Sequence, residues 1–449
     1  MTDVINTREV VLDLLMEILE NNRHSHLVLR QALEKYQYLD KKDRAFITRL
    51  TEGTIENLIQ IDYIINAFSK IKVGKMKPVI RNLLRMGVYQ IKFMDHIPDS
   101  AACNEAVKLA KKRKFDGLKG FVNGILRNVS RNLETIPYPQ KEKNLAEYFS
   151  VMYSMPEWIV TKWLADYDTV TVENLLKAFL EDADTTVRCN LLRASKEEII
   201  ESLKSQNIEV IEDSNLDYVL HIRGYDFLSR VEAFSKGWIQ VQDTASCLVG
   251  EFANVKPGDY VIDVCSAPGG KALHIAEKLC GLGHVEARDL TAAKVSMISE
   301  NAARLGITNI SIKIQDALVL EPKSIHKADL LVADLPCSGL GVIGRKPDIK
   351  YHMTKKQAEE LAVLQQRILS TVYQYVKPGG LLIYSTCTIH SPENIENVRW
   401  FIKNYPFRMV PIENKSGFYA ASMEEGWIQL LPGTHQADGF FLAVMRRQI

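Results

Sequence analysis

Two cysteines and three aspartates of this chain sit where predicted strands run out into loops, the positions at which α/β proteins do chemistry. Cys387 follows the apolar run Leu381–Tyr384 in "LLIYSTCTIHSPEN". Behind it, Ser391-Pro392-Glu393 predicts a helix start, with Ser391 as N-cap and Pro392 at the first helical position. Cys337 follows a second strand in "ADLPCSGLGVIGRKPDIK", three residues after Asp334. A thiolate is a soft, strong nucleophile, so two thiols at adjacent strand ends could act covalently on one substrate. Residue types alone do not rank the two.

A third strand, "YVIDVC", runs into Cys265-Ser266-Ala267-Pro268-Gly269-Gly270-Lys271. Such a turn of small residues lets a ligand approach the backbone closely. It is neither the dinucleotide pattern GxGxxG nor a P-loop. Asp289 ends the next strand, nineteen residues after Gly270, where an acid can accept from both hydroxyls of a ribose. Asp316 ends the one after and could accept from an exocyclic amine such as that of adenine. With Asp334, the three acids describe a nucleoside pocket without a phosphate site. S-adenosylmethionine suits it better than NAD or ATP.

The chain has 449 residues, enough for two to four domains, and seven cysteines, none in a CxxC pair. HExxH is absent and no metal site is expected. Cys103, Cys189, Cys247 and Cys280 are expected to be small buried hydrophobes. No apolar run approaches a membrane span, and the N-terminus lacks a signal-peptide pattern, so the expected compartment is the cytoplasm.

The elements that position these residues fall into three stretches. Residues 1–140 read as a helical bundle with apolar residues at helical spacing and few β-rich stretches. Its stretch from Ile61 to Arg131 holds fifteen Lys/Arg against five Asp/Glu although the whole chain is only +1, which suits a polyanion partner. After a proline-bearing linker, residues 145–235 read as a small α/β domain. From 236 to 449 strands alternate with helices, which implies a Rossmann-like parallel sheet with right-handed crossovers.

"DVCSAPGGKA", "DLPCSGLGVIGRKPDIK" and "STCTIHSPEN", preceded by "QVQDTAS", resemble the signature motifs of the Nol/Nop/Sun family of RNA cytosine-C5 methyltransferases. The helical stretch resembles the NusB-like RNA-binding domain of the family's bacterial Sun-type members. The resemblance implies methylation of carbon 5 of a cytosine in 16S rRNA, with S-adenosylmethionine as donor and an RRM-like middle domain in a monomer. It implies Cys387 as the nucleophile at carbon 6, Cys337 in product release, Asp334 in orienting the base and sharing a proton with it, and Lys271 in support. The turn Cys265–Lys271 and Asp289, Asp316 and Asp334 would hold the cofactor. Ser266, Ala272 and Leu335 replace the family's usual Ala, Thr and Ala, and Lys294 stands where Arg is frequent; none removes a reacting group. A tRNA methyltransferase and an inactive RNA-binding assembly factor are the alternatives. The NusB-like front end argues against the first, the intact Asp334, Cys337 and Cys387 against the second.

Overall fold

A computed structural model describes residues 5–413, 417–418 and 420–449. The chain divides into two compact units: residues 1–181 with 343–353, and residues 182–342 with 354–449.

The first unit is helical. It comprises α1 (Thr7–Leu15), α2 (Ser25–Lys35), α3 (Lys41–Glu56), α4 (Leu58–Phe68), α5 (Pro78–Phe93), α6 (Asp99–Lys112), α7 (Lys119–Asn132), α8 (Leu145–Met152), α9 (Glu157–Asp166) and α10 (Thr169–Ala178). Side chains cap several starts: Asn6 accepts from the N–H groups of Arg8 and Glu9, and Asp40 from that of Asp43. The stripes read from the sequence form one core, with Val11, Leu15, Ile47, Ile64, Leu83 and Leu126 fully buried.

The first part of the stretch expected to be α/β, residues 145–178, is thus three helices, and the β-structure begins only at Thr185. There β1 (Thr185–Cys189), α11 (Lys196–Ser205), β2 (Glu209–Glu212), β3 (Val219–Arg223), α12 (Glu232–Ser235) and β4 (Ile239–Val241) form an antiparallel sheet in the order β2-β3-β1-β4. Ser195 and Glu198 make the capping box that starts α11.

The large sheet follows, through α13 (Thr244–Phe252), β5 (Tyr260–Asp263), α14 (Gly270–Lys278), β6 (His284–Asp289), α15 (Ala292–Leu305), β7 (Ile310–Ile314), β8 (Ala328–Asp334), α16 (Ile349–His352), α17 (Lys355–Val372), β9 (Val376–Thr386), α18 (Ile395–Asn404), β10 (Phe407–Met409), β11 (Trp427–Leu430) and β12 (Phe440–Arg447). Its order is β10-β12-β9-β8-β5-β6-β7, with β11 also paired to β12. The five expected strands, β5 to β9, are parallel to one another. Three further strands, β10, β11 and β12, make the other side antiparallel, so the sheet is mixed. No helix separates β11 from β12, and β10 is only three residues long, so alternation with helices does not mark them. β5 is flanked by β6 and β8, and the chain order runs away from it in both directions; its end is the topological switch point.

One segment of the cysteine motif departs from this sheet. Residues 343–353 belong to the helical unit. There the buried Asp348 carboxylate accepts from Ser25 N–H at 3.2 Å and from the Ser25 hydroxyl. Lys350, also buried, donates to the Glu56 carbonyl at 2.8 Å, and burial lowers its pKa to about 7.

Candidate active site

The turn after β5 needs its glycine. Gly269 has φ +104, a left-handed conformation at the N-cap of α14, and an added Cβ would lie 3.1 Å from Leu273 and 3.3 Å from Ile298. Backbone bonds tighten the turn: Gly269 N–H donates to Ser266 C=O at 2.7 Å and Ser266 N–H to Arg288 C=O at 2.9 Å. Asp289 reaches across from β6 and accepts from Ala267 N–H at 2.9 Å and from Leu290 N–H at 2.7 Å; Lys294 pairs with it at 3.0 Å. A carboxylate has about four lone-pair directions, so these bonds leave room for one further donor. Asp316 accepts from Leu318 N–H at 2.9 Å, which turns its carboxylate into its own loop.

The first helical turn of α14 carries Lys271 across to the end of β8. Its Nζ lies 2.7 Å from Asp334 Oδ2, and Ser385 Oγ donates to Asp334 Oδ1 at 2.7 Å. Burial works against the ammonium, but the Asp334 charge and hydrogen bond outweigh it, with Cys387 adding to them, and the Lys271 pKa is raised. Behind the pair, at the end of β5, Asp263 is buried. Desolvation, reinforced by the Asp334 charge, pushes its carboxyl up to about 7.

The sulfurs of Cys337 and Cys387 are 3.3 Å apart. The hydrogen bond to Cys387, together with burial, raises the Cys337 pKa well above a free thiol's. Gly341 N–H donates to Cys387 C=O at 3.1 Å, and Gly439 N–H to Gly341 C=O at 2.8 Å. An added Cβ at Gly341 would lie 2.8 Å from the Cys387 carbonyl oxygen, so the two cysteine loops close on each other only with glycine there.

Every residue expected at the site lies in the same unit, at a strand end or in the segment that follows one, and the structure joins Lys271 to Asp334, Cys337 to Cys387 and Asp289 to the turn. Two expectations need correcting. Ser391 does not cap a helix: Ser391–Glu393 is a single 3-10 turn, and α18 starts at Ile395 without a side-chain cap. Cys280 is not buried but exposed, at φ +47 in a turn, whereas Cys103, Cys189 and Cys247 are buried as expected. Sequence reasoning missed Asp263, Gln365, Ser385 and Glu393. The one available signal was the small hydroxyl residue directly after each cysteine, Ser338 and Thr388, which are bonded at 2.8 Å.

Comparison with known proteins bears on this arrangement. Family models match three stretches: the NusB family over residues 5–131, the RsmF/B-like ferredoxin-like domain over 155–225, and 16S rRNA methyltransferase RsmB/F over 252–446. The probable ribosomal RNA small subunit methyltransferase B of Bacillus subtilis (strain 168) is 34% identical, with 99% of both chains covered. The chain belongs to the ribosomal RNA small subunit methyltransferase B family. Its counterpart from Synechocystis, of the same printed name, is 31% identical over 99% of this chain and 100% of that one. Among solved structures, PH0851 superposes with a TM-score of 0.83 at 25% identity, covering 99% of each chain. NSun6 of Pyrococcus horikoshii, solved with SFG, gives 0.58 at 22% identity over 69% of this chain and 98% of that one, a likeness of fold. The family thus combines a NusB-like helical domain, a ferredoxin-like middle domain and an S-adenosylmethionine-dependent methyltransferase domain, the three regions described above.

Proposed function

We propose that this member of the family methylates carbon 5 of a cytosine in 16S rRNA through a covalent bond between Cys387 and carbon 6. The observation that carries the reading is the thiol pair at 3.3 Å beside the Lys271–Asp334 ion pair. Carbon 5 of cytosine is too weak a nucleophile to be methylated directly. Addition of a thiolate to carbon 6 uses the C5=C6 π electrons and makes carbon 5 nucleophilic. Cys387 suits the attack because Lys271 and the protonated Cys337 both favour its anion. Asp334, held at the end of β8 by Lys271 and Ser385, can orient the base's N3 and amino group. After transfer, the carbon 5 proton passes to solvent, the S–C6 bond breaks and C5=C6 re-forms. The departing Cys387 thiolate then accepts a hydrogen bond from Cys337.

The residues after β5, β6 and β7 fit S-adenosylmethionine, which supplies an electrophilic methyl group. The turn carries no side chain at Gly269 and Gly270, Asp289 retains capacity for a ribose hydroxyl, and the exposed Leu290 beside it offers an apolar face for a purine. Asp289, Asp316 and Asp334 outnumber the two lysines, Lys294 and Lys271, that pair with the first and the last, and the acidic excess favours a cationic sulfonium over phosphates. The target base must be unstacked, and the basic helical unit is suited to hold the surrounding RNA.

The test is methyl transfer to small-subunit rRNA, with tRNA as control. Cys387→Ala should abolish turnover. Cys337→Ala should accumulate a protein–RNA adduct that survives denaturing electrophoresis and disappears when Cys387 is also replaced. An adduct with Cys387→Ala instead would reverse the two roles.

A further inference from the structure

The two cysteines are supported unequally. Cys387 directly follows β9, which is paired on both sides, to β8 and β12. Cys337 lies three residues beyond the end of β8, on a loop without a ladder. Both of its chain neighbours are instead held by side chains. Gln365 Nε2 donates to the Pro336 carbonyl at 2.9 Å, and Ser338 N–H donates to Glu393 Oε2 at 2.8 Å. Gln365 also donates to Glu393 Oε2 at 3.0 Å, and the Ser338 hydroxyl donates to Glu393 Oε1. The far side of Gln365 is filled as well: its Oε1 accepts from Asn397 at 2.9 Å and from Tyr384 OH at 3.1 Å. Thr388, the residue after Cys387, bonds the Ser338 hydroxyl at 2.8 Å. Glu393, Gln365, Ser338, Thr388, Asn397 and Tyr384 are all buried.

From this network we infer that Glu393 is a positioning residue which, through Ser338, fixes the Cys337 thiol against Cys387 and so governs release of the methylated product. The inference rests on the covalent reading above. A buried carboxylate is unfavourable unless donors surround it, and here the donors are Gln365 and the N–H and hydroxyl of Ser338, the residue after Cys337. Apolar packing would hold the loop against the sheet but would not fix its position along its own length. Burial raises the Glu393 pKa, and its Ser338 and Gln365 bonds act in the opposite direction. Glu393→Gln keeps the shape but turns an amide N–H toward groups that are themselves donors. Ser338→Ala removes only the hydroxyl that links the two loops.

The experiment uses the full-length chain and small-subunit rRNA, with Cys337→Ala as reference. Single-turnover methyl transfer, steady-state turnover, adduct yield and the folded fraction are measured for Glu393→Gln, Ser338→Ala and Ser338→Thr. In Glu393→Gln and Ser338→Ala, turnover should fall about 10-fold or more while single-turnover transfer stays within about 3-fold and the adduct accumulates. Ser338→Thr, which restores the hydroxyl, should release product faster than Ser338→Ala. A merely structural Glu393 would lower transfer and turnover together, in step with the folded fraction and without adduct; that result overturns the inference. If Glu393→Gln does not fold, Ser338→Ala decides by the same criteria. If Cys337→Ala forms the adduct and Ser338→Ala does not, this inference alone fails. If Cys337→Ala forms none, the covalent reading fails and this inference with it.

Discussion

In the catalytic unit the groups able to do chemistry are few, at least partly buried, and paired: Lys271 with Asp334, Cys337 with Cys387, Asp289 with the turn after β5. The helical unit spreads its charge instead. Lys111, Lys114, Lys119, Arg127 and Arg131 are exposed along α6, α7 and the segment between them. A concentrated site is stabilised or lost through single contacts in a medium of low effective dielectric. A dispersed surface acts as a sum of weak, screened terms. Substitutions should therefore act as switches in one unit and as increments in the other.

The largest effect is expected from Lys271→Met. It leaves Asp334 without its cation and Cys387 without the nearby charge that favours its anion. By analogy with removing one preorganised donor, turnover should fall about 10²–10³-fold. Cofactor affinity should change far less. Equal losses in calorimetric affinity and in turnover would mean that Lys271 belongs to the cofactor turn and not to the thiols.

Asp263 tests whether burial in this unit has the cost its environment suggests. Its folded pKa, about 7, lies above the model-compound value of 3.8. Between these values the folded chain keeps the proton and the unfolded chain has lost it, so this group lowers stability as pH rises from about 4 to 7. Above pH 7 both states are ionised and the loss, about 4 kcal/mol, is complete. Asp263→Asn should remove this slope and be more stable than the parent at pH 8 in urea titrations, with little difference at pH 4. Parallel curves for the two proteins would place the carboxyl in a polar setting.

Asp289→Ala should cost about 1.5–3 kcal/mol in S-adenosylmethionine binding, the worth of a hydrogen bond to a charged group. Calorimetry should show it; unchanged affinity would mean that Asp289 only braces Ala267 and Leu290. Either outcome refines which contacts of the turn face the ligand.

How much was legible before the structure follows the same division. The turn after β5, the strand-end acids and the two cysteines are contiguous motifs, so their types and spacing survive in the linear sequence. Glu393 was visible too, but as a first-turn acid of a helix; its real partners, Ser338 and Gln365, are 55 and 28 residues away. Such a network has no period and no fixed spacing. Residues 343–353 read as the tail of the cysteine motif, yet Asp348 and Lys350 are satisfied by Ser25 and Glu56, about three hundred residues earlier. The strands β11 and β12 follow one another without a helix and β10 has only three residues, so none shows as strand–helix alternation. Burial of Asp263 depends on the whole sheet and left no local mark.

The smallest single effects are expected on the basic surface. If the helical unit holds rRNA by phosphate contacts, each exposed cation that touches a phosphate releases about one counterion, so the slope of log K against log salt should shrink by about 0.7–0.9 per contact removed. Replacing Lys111, Lys114, Arg127 and Arg131 by Gln, one at a time, should weaken rRNA binding slightly and similarly. The four together should add nearly without coupling, since the side chains are exposed and screened from one another. Single-turnover methyl transfer at saturating RNA should stay unchanged throughout, because none of the four lies in the catalytic unit. A single variant that removed most of the affinity would show that this surface, too, is concentrated. An unchanged salt slope in the quadruple variant would show that RNA is held elsewhere, and that the charge excess between Ile61 and Arg131 is a solvated face.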